Sequence, residues 1–382
     1  MAKDLKIMFS IYDDRDYLNN VIVPLTLGYQ KVIYFHRDKI SENRKYATID
    51  VLNKHDIDAY FVKLEKGEQQ ILDTFDKYQE ADIDVSTNRY LTLYIFEKAI
   101  NSKRKIYYYD SHENIVKDYR LHIPVKETTA SLTIKELIEL GGGKLEQNMH
   151  ALPNMENKED VEAVKNIVYS SINKYTKFVN YVSYIAQLIS KANGTIHLNA
   201  YERDKVVLNG IYSIMNRNGV LWLREDVLMI KNRYFRKLLT NAGAWLETYL
   251  YITFVESGLF DECAMSSIIN FKKREDIYPI TCEIDLMLLK DNYLLFISCK
   301  SNKVDTPALN EIKLHNYFFG NRISNAMVCT VEDLNIKNPT VYQKAIELGV
   351  AVIDFTAIQR KTVAEETLAL INNDYEYERI GE

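Results

Sequence analysis

Five residues between positions 247 and 300 have the types and spacing to act on a phosphate: Glu247, Glu283, Asp285, Ser298 and Lys300. Glu247 closes the string Gly243-Ala244-Trp245-Leu246-Glu247, which opens a helical stretch continuing TYLYITFVESG. Two strand-like segments follow, TCEIDLMLLK (281–290) and YLLFISCK (293–300), joined by a tight Asp291-Asn292 turn. Side chains alternate along a strand. Glu283 and Asp285 therefore share one face of the first strand, and Ser298 and Lys300 share one face of the second. A hairpin lays the two pairs side by side at one end of a sheet, which gathers two or three carboxylates beside an amine.

Phosphodiester hydrolysis uses these groups. A magnesium or manganese ion takes carboxylate and carbonyl oxygens. It polarises the phosphate, orients the attacking water and neutralises developing charge. A nearby lysine positions the water or stabilises the charged transition state. The expected ligands are Glu247, Asp285 and the backbone carbonyl of Cys299, which lies between Ser298 and Lys300. Crowded carboxylates repel one another, so the cluster itself suggests a cation. The plain alternative is a surface ion pair. Against it, Asp285 lies between Ile284 and Leu286 in a strongly apolar strand, Lys300 ends another, and Glu247 sits on a helix with its own apolar face.

The first 120 residues alternate strand-like and helix-like segments. LKIMFSI (5–11), KVIYFH (31–36), AYFVKL (59–64), IDVST (83–87) and KIYYY (105–109) are short and rich in β-branched or aromatic residues. Between them lie amphipathic stretches, one with Ser41 as a candidate N-cap and one with Leu91, Ile95 and Ala99 at helical spacing. Such alternation implies crossover connections and a parallel sheet covered on both faces. KIYYYDSHENIVKDYRL reads as a hairpin around Ser111–Asn114. Doubly wound sheets bind ligands beyond the C-terminal ends of their strands. Two polar clusters stand there, Ser10, Tyr12 and Asp13 after the first strand and Ser86, Thr87, Asn88 and Arg89 after the fourth. The second enters a helix and offers an anion site, or serves only as its cap.

Residues 121–160 read as a connector in which Gly141-Gly142-Gly143 is too flexible to pack, so a domain boundary is expected near 150. One long helix is expected over 160–193 and another over 201–217, followed by a hairpin in GVLWLREDVLMIK. This region is either a small winged-helix-like unit or the front of the C-terminal domain. INNDYEYERIGE reads as a solvated tail.

Composition narrows the choices. With 382 residues, two or three domains are expected. No apolar run approaches the roughly 20 residues that span a bilayer, and the N-terminus lacks signal-peptide character, so cytoplasmic residence and no membrane contact are expected. The four cysteines show no CxxC spacing and the seven histidines no HExxH. No GxGxxG or Walker sequence is present. A net charge of −5 argues against coating nucleic acid by bulk electrostatics but permits a local groove.

The order helix Glu247, strand Asp285, then Ser298-Cys299-Lys300 resembles the PD-(D/E)xK restriction-endonuclease-like superfamily. GAWLE, CEIDLMLL and FISCK further resemble the CRISPR-associated Rossmann-fold (CARF) nucleases, ancillary effectors of type III CRISPR systems. An N-terminal α/β sensor followed by such a nuclease is that group's arrangement, so the resemblance covers nearly the whole chain. It implies an α/β protein with a Rossmann-like CARF sensor and connector (1–150) and a nuclease domain (151–382), whose helical front spans 151–235 and core 236–370. It matches Glu247 and Asp285 to metal ligands, Lys300 to the catalytic lysine and Glu283 to a second acid. Ser10, Tyr12, Asp13, Ser86, Thr87 and Asn88 match loops that grip a cyclic oligoadenylate, with Arg89 beside them. Family members are similar in being homodimers, with one ligand across the two-fold axis. The pattern prefers an acid where this chain has Ser298, which leaves the missing charge to Glu247 or Glu283.

The expected protein is a metal-dependent endonuclease using Mn2+ or Mg2+, activated by cyclic oligoadenylate, with the tetra-adenylate expected. It would cleave single-stranded RNA or DNA, or nick duplex DNA. Lys272, Lys273, Arg274, Lys303 and Lys313 are candidate phosphate contacts. The alternatives are a non-catalytic nucleotide-sensing DNA-binding regulator and a ligand-independent repair or restriction-type nuclease.

Overall fold

The computed structural model describes all residues except 1–4, 38, 66–68, 88, 101, 112, 129, 148–152, 193, 272–279, 321–323 and 381–382. Its N-terminal third alternates strand and helix: β1 (Ile7–Ile11), α1 (Asn19–Leu27), β2 (Lys31–His36), α2 (Glu42–Asn53), β3 (Asp58–Lys63), α3 (Gln69–Lys77), β4 (Asp82–Asp84), α4 (Arg89–Ala99) and β5 (Ile106–Asp110). These five strands are parallel. β6 (Ile115–Asp118) folds back on β5 as the expected hairpin, and β7 (Ile123–Glu127) adds one more antiparallel edge. The sheet order is β3-β2-β1-β4-β5-β6-β7, so the winding direction reverses between β1 and β4. Met8, Val32 and Tyr34 face one core, while their neighbours Phe9, Ile33 and Phe35 face the other. That alternation buries the sheet on both faces, as parallel strands require. Ser41 caps α2 by accepting from the Arg44 amide.

The connector is more ordered than its composition suggests. β7 belongs to the first sheet, and α5 (Ile134–Leu140) opens with a capping box of Thr133 and Glu136. β8 (Lys144–Gln147) already hydrogen-bonds into the second sheet, against β12 (Glu262–Phe271). The glycine run is packed rather than loose. A Cβ on Gly143 would stand 2.7 Å from Ile269 Cγ2, and one on Gly141 would stand 3.3 Å from the Phe319 carbonyl oxygen. Glycine is needed here for close approach, which the chain's flexibility elsewhere does not reveal.

The expected helix over 160–193 is two helices, α6 (Lys158–Ser171) and α7 (Tyr175–Lys191), separated by a 3-10 turn at Ile172–Lys174. Apolar periodicity identifies the buried face but not whether the axis runs straight. The break lets Phe178 meet Trp245 edge-on at 5.5 Å between ring centroids. The expected helix over 201–217 also divides, into α8 (Ala200–Val207) and α9 (Gly210–Arg217), because Asn209 caps a fresh start at the Ile211 amide. With β9 (Ile196–His197) before them, and β10 (Leu221–Arg224) and β11 (Val227–Ile230) after, they complete a three-stranded sheet of order β10-β11-β9. Helix, strand, two helices and a hairpin make a winged-helix arrangement.

After α10 (Arg233–Leu238) comes α11 (Ala244–Ser257), then β12, β13 (Ile280–Lys290) and β14 (Tyr293–Lys300) in antiparallel succession. β12 was not expected from the sequence. Asp291 and Asn292 both have positive φ (50° and 64°), which closes the β13–β14 turn tightly. α12 (Thr306–Phe319), β15 (Ser324–Thr330), α13 (Leu334–Lys337), α14 (Pro339–Glu347), β16 (Val350–Ile353) and α15 (Phe355–Arg360) follow. The sheet order is β16-β15-β14-β13-β12-β8, with β14, β15 and β16 parallel. α16 (Val363–Ile380) is a helix where a tail was expected. One continuous core joins the inner face of the first sheet to the second. Across this junction the Tyr17 hydroxyl donates to the Phe319 carbonyl oxygen at 2.6 Å, and Arg44 Nε donates to the Gly141 carbonyl oxygen at 3.0 Å.

Candidate functional site

α11 packs against β12, β13 and β14 and carries Glu247 in its first turn, where the helix end favours an anion. The helix is held there by Trp245, which is fully buried and donates through Nε1 to the Leu238 carbonyl oxygen at 2.8 Å. β13 supplies Asp285 and Glu283, and β14 supplies Ser298, Cys299 and Lys300. The β13–β14 ladder runs from Lys290–Tyr293 to Leu286–Ile297. Just past its end, the Asp285 carboxylate takes the place of a backbone acceptor. Its Oδ2 accepts from the Cys299 amide at 2.7 Å and from Ser298 Oγ at 3.4 Å.

The electrostatics are those of crowded anions. Burial pushes the Glu247 carboxyl up to about 7, the Asp285 and Glu283 charges add to the rise, and Lys300 and a hydrogen bond from Ser266 oppose it. Burial also raises Asp285, against the pull of the Cys299 amide, Lys300 and Ser298. Glu283 is exposed, Lys300 is half-buried and Ser298 is 8% exposed. A cavity of about 220 Å³ opens beside Glu247 and Glu283, with Lys237, Asn241 and Ser266 on its wall. Sequence reasoning missed these last three. Ser266 lies on the strand that was not expected, and Lys237 and Asn241 precede the Glu247 helix without any motif.

Among the described residues no three His, Cys, Asp or Glu side chains converge as a metal cluster. The site offers two half-buried carboxylates, Glu247 and Asp285, that repel each other, together with main-chain oxygens at the end of β14. That donor set fits a hard divalent ion that keeps several waters, as magnesium and manganese do. Of the candidate phosphate contacts, Lys303 is exposed beyond β14 and Lys313 is half-buried on α12, while Lys272, Lys273 and Arg274 lie outside the described residues.

A second cavity, about 530 Å³, opens at the C-terminal ends of the first sheet. Tyr12 and Asp13 line it, as the strand-end rule expects. Ser10 and Thr87 are turned inward. Ser10 is fully buried and donates to Asp84 Oδ2 at 3.0 Å, and Thr87 donates to the Ile11 carbonyl oxygen. Ser86 donates through Oγ to Asp84 Oδ1 at 2.5 Å and accepts from the Tyr109 amide at 2.9 Å. Asn88 lies outside the described residues, and Arg89 begins α4. The cavity's cations are Arg15, Arg37, Lys39 and Arg44, with His36 among them on the wall. The sequence points to ligand contacts at the ends of the first and fourth strands. The same rule applied to the end of β2 finds His36, Arg37 and Lys39. Arg44 donates to the Asp14 carbonyl oxygen at 2.6 Å in addition to Gly141, so one guanidinium touches both the cavity loop and the junction.

This architecture defines an α/β protein with a Rossmann-like N-terminal sheet, a small three-stranded sheet and a mixed six-stranded sheet. No protein-family model matches the chain, and no curated protein matches its sequence. Solved structures do match in fold. Protein VC1899 from Vibrio cholerae is 15% identical, with 96% of this chain and 99% of that chain covered at a TM-score of 0.79. Can2 from Sulfobacillus thermosulfidooxidans, solved in complex with cyclic tetra-adenylate, is 14% identical, with the same coverage at a TM-score of 0.73. At these identities the likeness is one of fold, over nearly the full length of each chain.

Proposed function

We propose that this chain is a CARF-type, metal-dependent endonuclease of type III CRISPR defence, switched on by cyclic oligoadenylate. The observation that carries the reading is the meeting of Glu247, Asp285 and Lys300 at the end of β14, with Asp285 fixed by the Cys299 amide. Glu247 and Asp285, with the Cys299 carbonyl, would hold a manganese or magnesium ion. When bound, the ion supplies Lewis-acid polarisation of the phosphate and a water of lowered pKa. Lys300 holds that water or the developing oxyanion, and Glu283 adds the negative charge that Ser298 lacks. Single-stranded RNA or DNA is the substrate, with nicking of duplex DNA as a further outcome. Among the described residues nothing on the active-site face resembles a base-reading element.

The cavity above the first sheet supports the sensor assignment. Its cations suit the phosphates of a ring of adenylates, and Can2, whose fold is similar, was solved with cyclic tetra-adenylate. Two copies would share one ring across a two-fold axis, and a ligand that prefers the closed arrangement shifts the population toward it. Cytoplasmic residence accords with the absence, among the described residues, of any helix long and apolar enough to cross a membrane.

A second reading, a non-catalytic nucleotide-sensing regulator that binds DNA, draws on the winged-helix arrangement of α8 to β11 and on Ser298 at the acid position. A cleavage assay separates the two. Labelled single-stranded RNA and supercoiled plasmid are incubated with manganese, with and without cyclic tetra-adenylate, using wild type and Lys300→Ala. Cleavage that needs metal and ligand and disappears in Lys300→Ala is expected. Tight ligand binding without cleavage of either substrate would favour the regulator.

A further inference from the structure

We propose that Ser266 is a positioning residue for the metal-binding carboxylates, holding Glu247 from a strained backbone seat directly across from Asp285. The inference rests on the reading of Glu247 and Asp285 as ligands of a divalent cation. Among the described residues eight non-glycines have positive φ. Seven lie in turns or at a helix end, whereas Ser266, at φ 49°, lies inside a ten-residue strand. A side chain with a Cβ is disfavoured in that region, and such outliers persist where the surrounding structure imposes them, often at functional sites.

The register shows what the distortion does. β12 and β13 pair on both sides of it, Met265 with Leu286 and Ser267 with Ile284, so no residue has been inserted. The ladder is interrupted only where Ser266 faces Asp285. Ser266 lines the same cavity as Glu247 and Glu283, where its hydroxyl stands close enough to favour the charged form of the Glu247 carboxylate. Asp285 takes its own hydrogen bonds from the other flank, from Ser298 and Cys299 on β14. The two acids are thus flanked from opposite sides, Asp285 by its donors on β14 and Glu247 by the Ser266 hydroxyl on β12. Groups that orient metal ligands in this way matter to affinity almost as much as the ligands themselves.

Three substitutions in the full chain separate positioning from packing, with Mn2+ affinity measured by calorimetry and melting measured in chelator. Ser266→Gly accepts positive φ without a Cβ, so its melting temperature should equal or exceed wild type while Mn2+ affinity falls about 10- to 100-fold. Ser266→Ala should lose a similar factor. Ser266→Asn, which tolerates the left-handed region and keeps a hydrogen-bonding group, should stay within a few-fold of wild type. Wild-type Mn2+ affinity in both Ser266→Gly and Ser266→Ala would overturn the role of Ser266 and leave the metal site standing. Absence of Mn2+ binding by wild type itself would overturn both.

Discussion

Asp84 and Glu247 are both carboxylates removed from water, one at the end of a strand in the N-terminal sheet and one beside the C-terminal cavity. Asp84 is 1% exposed and ends β4, and its two oxygens accept from Ser10 Oγ, the Ser86 amide and Ser86 Oγ. Burial raises it to about 6, with the serine donors pulling the other way. Glu247 has one serine hydroxyl, two carboxylates and one lysine for neighbours, and it rises to about 7. The protein satisfies Asp84 from within, so that acid ties the end of β4 to β1 through Ser10. Glu247 and Asp285 keep an excess of negative charge, the condition under which a bound cation gains most. Similar burial therefore serves architecture in one sheet and, in our reading, chemistry in the other.

The largest expected effect separates the two regions outright. Lys300→Ala should lower ligand-stimulated cleavage about 10²- to 10³-fold and leave cyclic tetra-adenylate affinity unchanged by calorimetry. A parallel loss of ligand affinity would show that the sites are not separable in this way.

The next prediction concerns pH. Glu247 has its carboxyl raised from 4.5 to about 7 in the folded state. The folded protein therefore keeps a proton between those values that the unfolded chain releases, so metal-free stability falls as pH rises through that window and is level above it. Glu247→Gln should flatten that slope and stabilise the metal-free protein above pH 7 by at most about 3 kcal/mol. Denaturant titrations in chelator at pH 5 and pH 8 check the sign. Saturating Mn2+ should remove the advantage of Glu247→Gln, because the ion binds the charged carboxylate that glutamine lacks.

On the other side of the comparison, Arg15 lies exposed on the N-terminal cavity wall. Arg15→Ala should weaken cyclic tetra-adenylate about tenfold, as loss of one charge-assisted contact does. Cleavage at saturating ligand should match wild type. The smallest effect tests the junction. Tyr17→Phe removes only the hydroxyl that serves the Phe319 carbonyl and should cost about 1 kcal/mol in a denaturant titration. No loss would mean that water replaces the contact.

The alternation of short apolar strands with amphipathic helices was legible because its two periods differ; it located β1, β2, β3 and β5 within a residue or two, while β4, expected over 83–87, spans Asp82–Asp84. Glu247, Asp285 and Lys300 were legible as a group because the Asp291-Asn292 turn fixes which residues of β13 and β14 face each other. What the sequence hid depends on contacts distant along the chain. Gly143 looked loose because Ile269, which crowds it, is far away in sequence. The helices around 160–217 looked continuous because periodicity does not report a change of axis. β12 and Ser266 escaped because ECAMSSIINF alternates weakly, and the strain at Ser266 is a property of its place opposite Asp285.

The most direct test of the account is the initial rate of cleavage measured against occupancy of the N-terminal cavity, with manganese fixed at saturation and cyclic tetra-adenylate titrated. A ligand-switched nuclease should show negligible cleavage without ligand and a rate that rises with occupancy, with the same midpoint as binding measured by calorimetry. A rate independent of ligand would leave a nuclease without a switch, and no cleavage at full occupancy would contradict the enzymatic reading altogether.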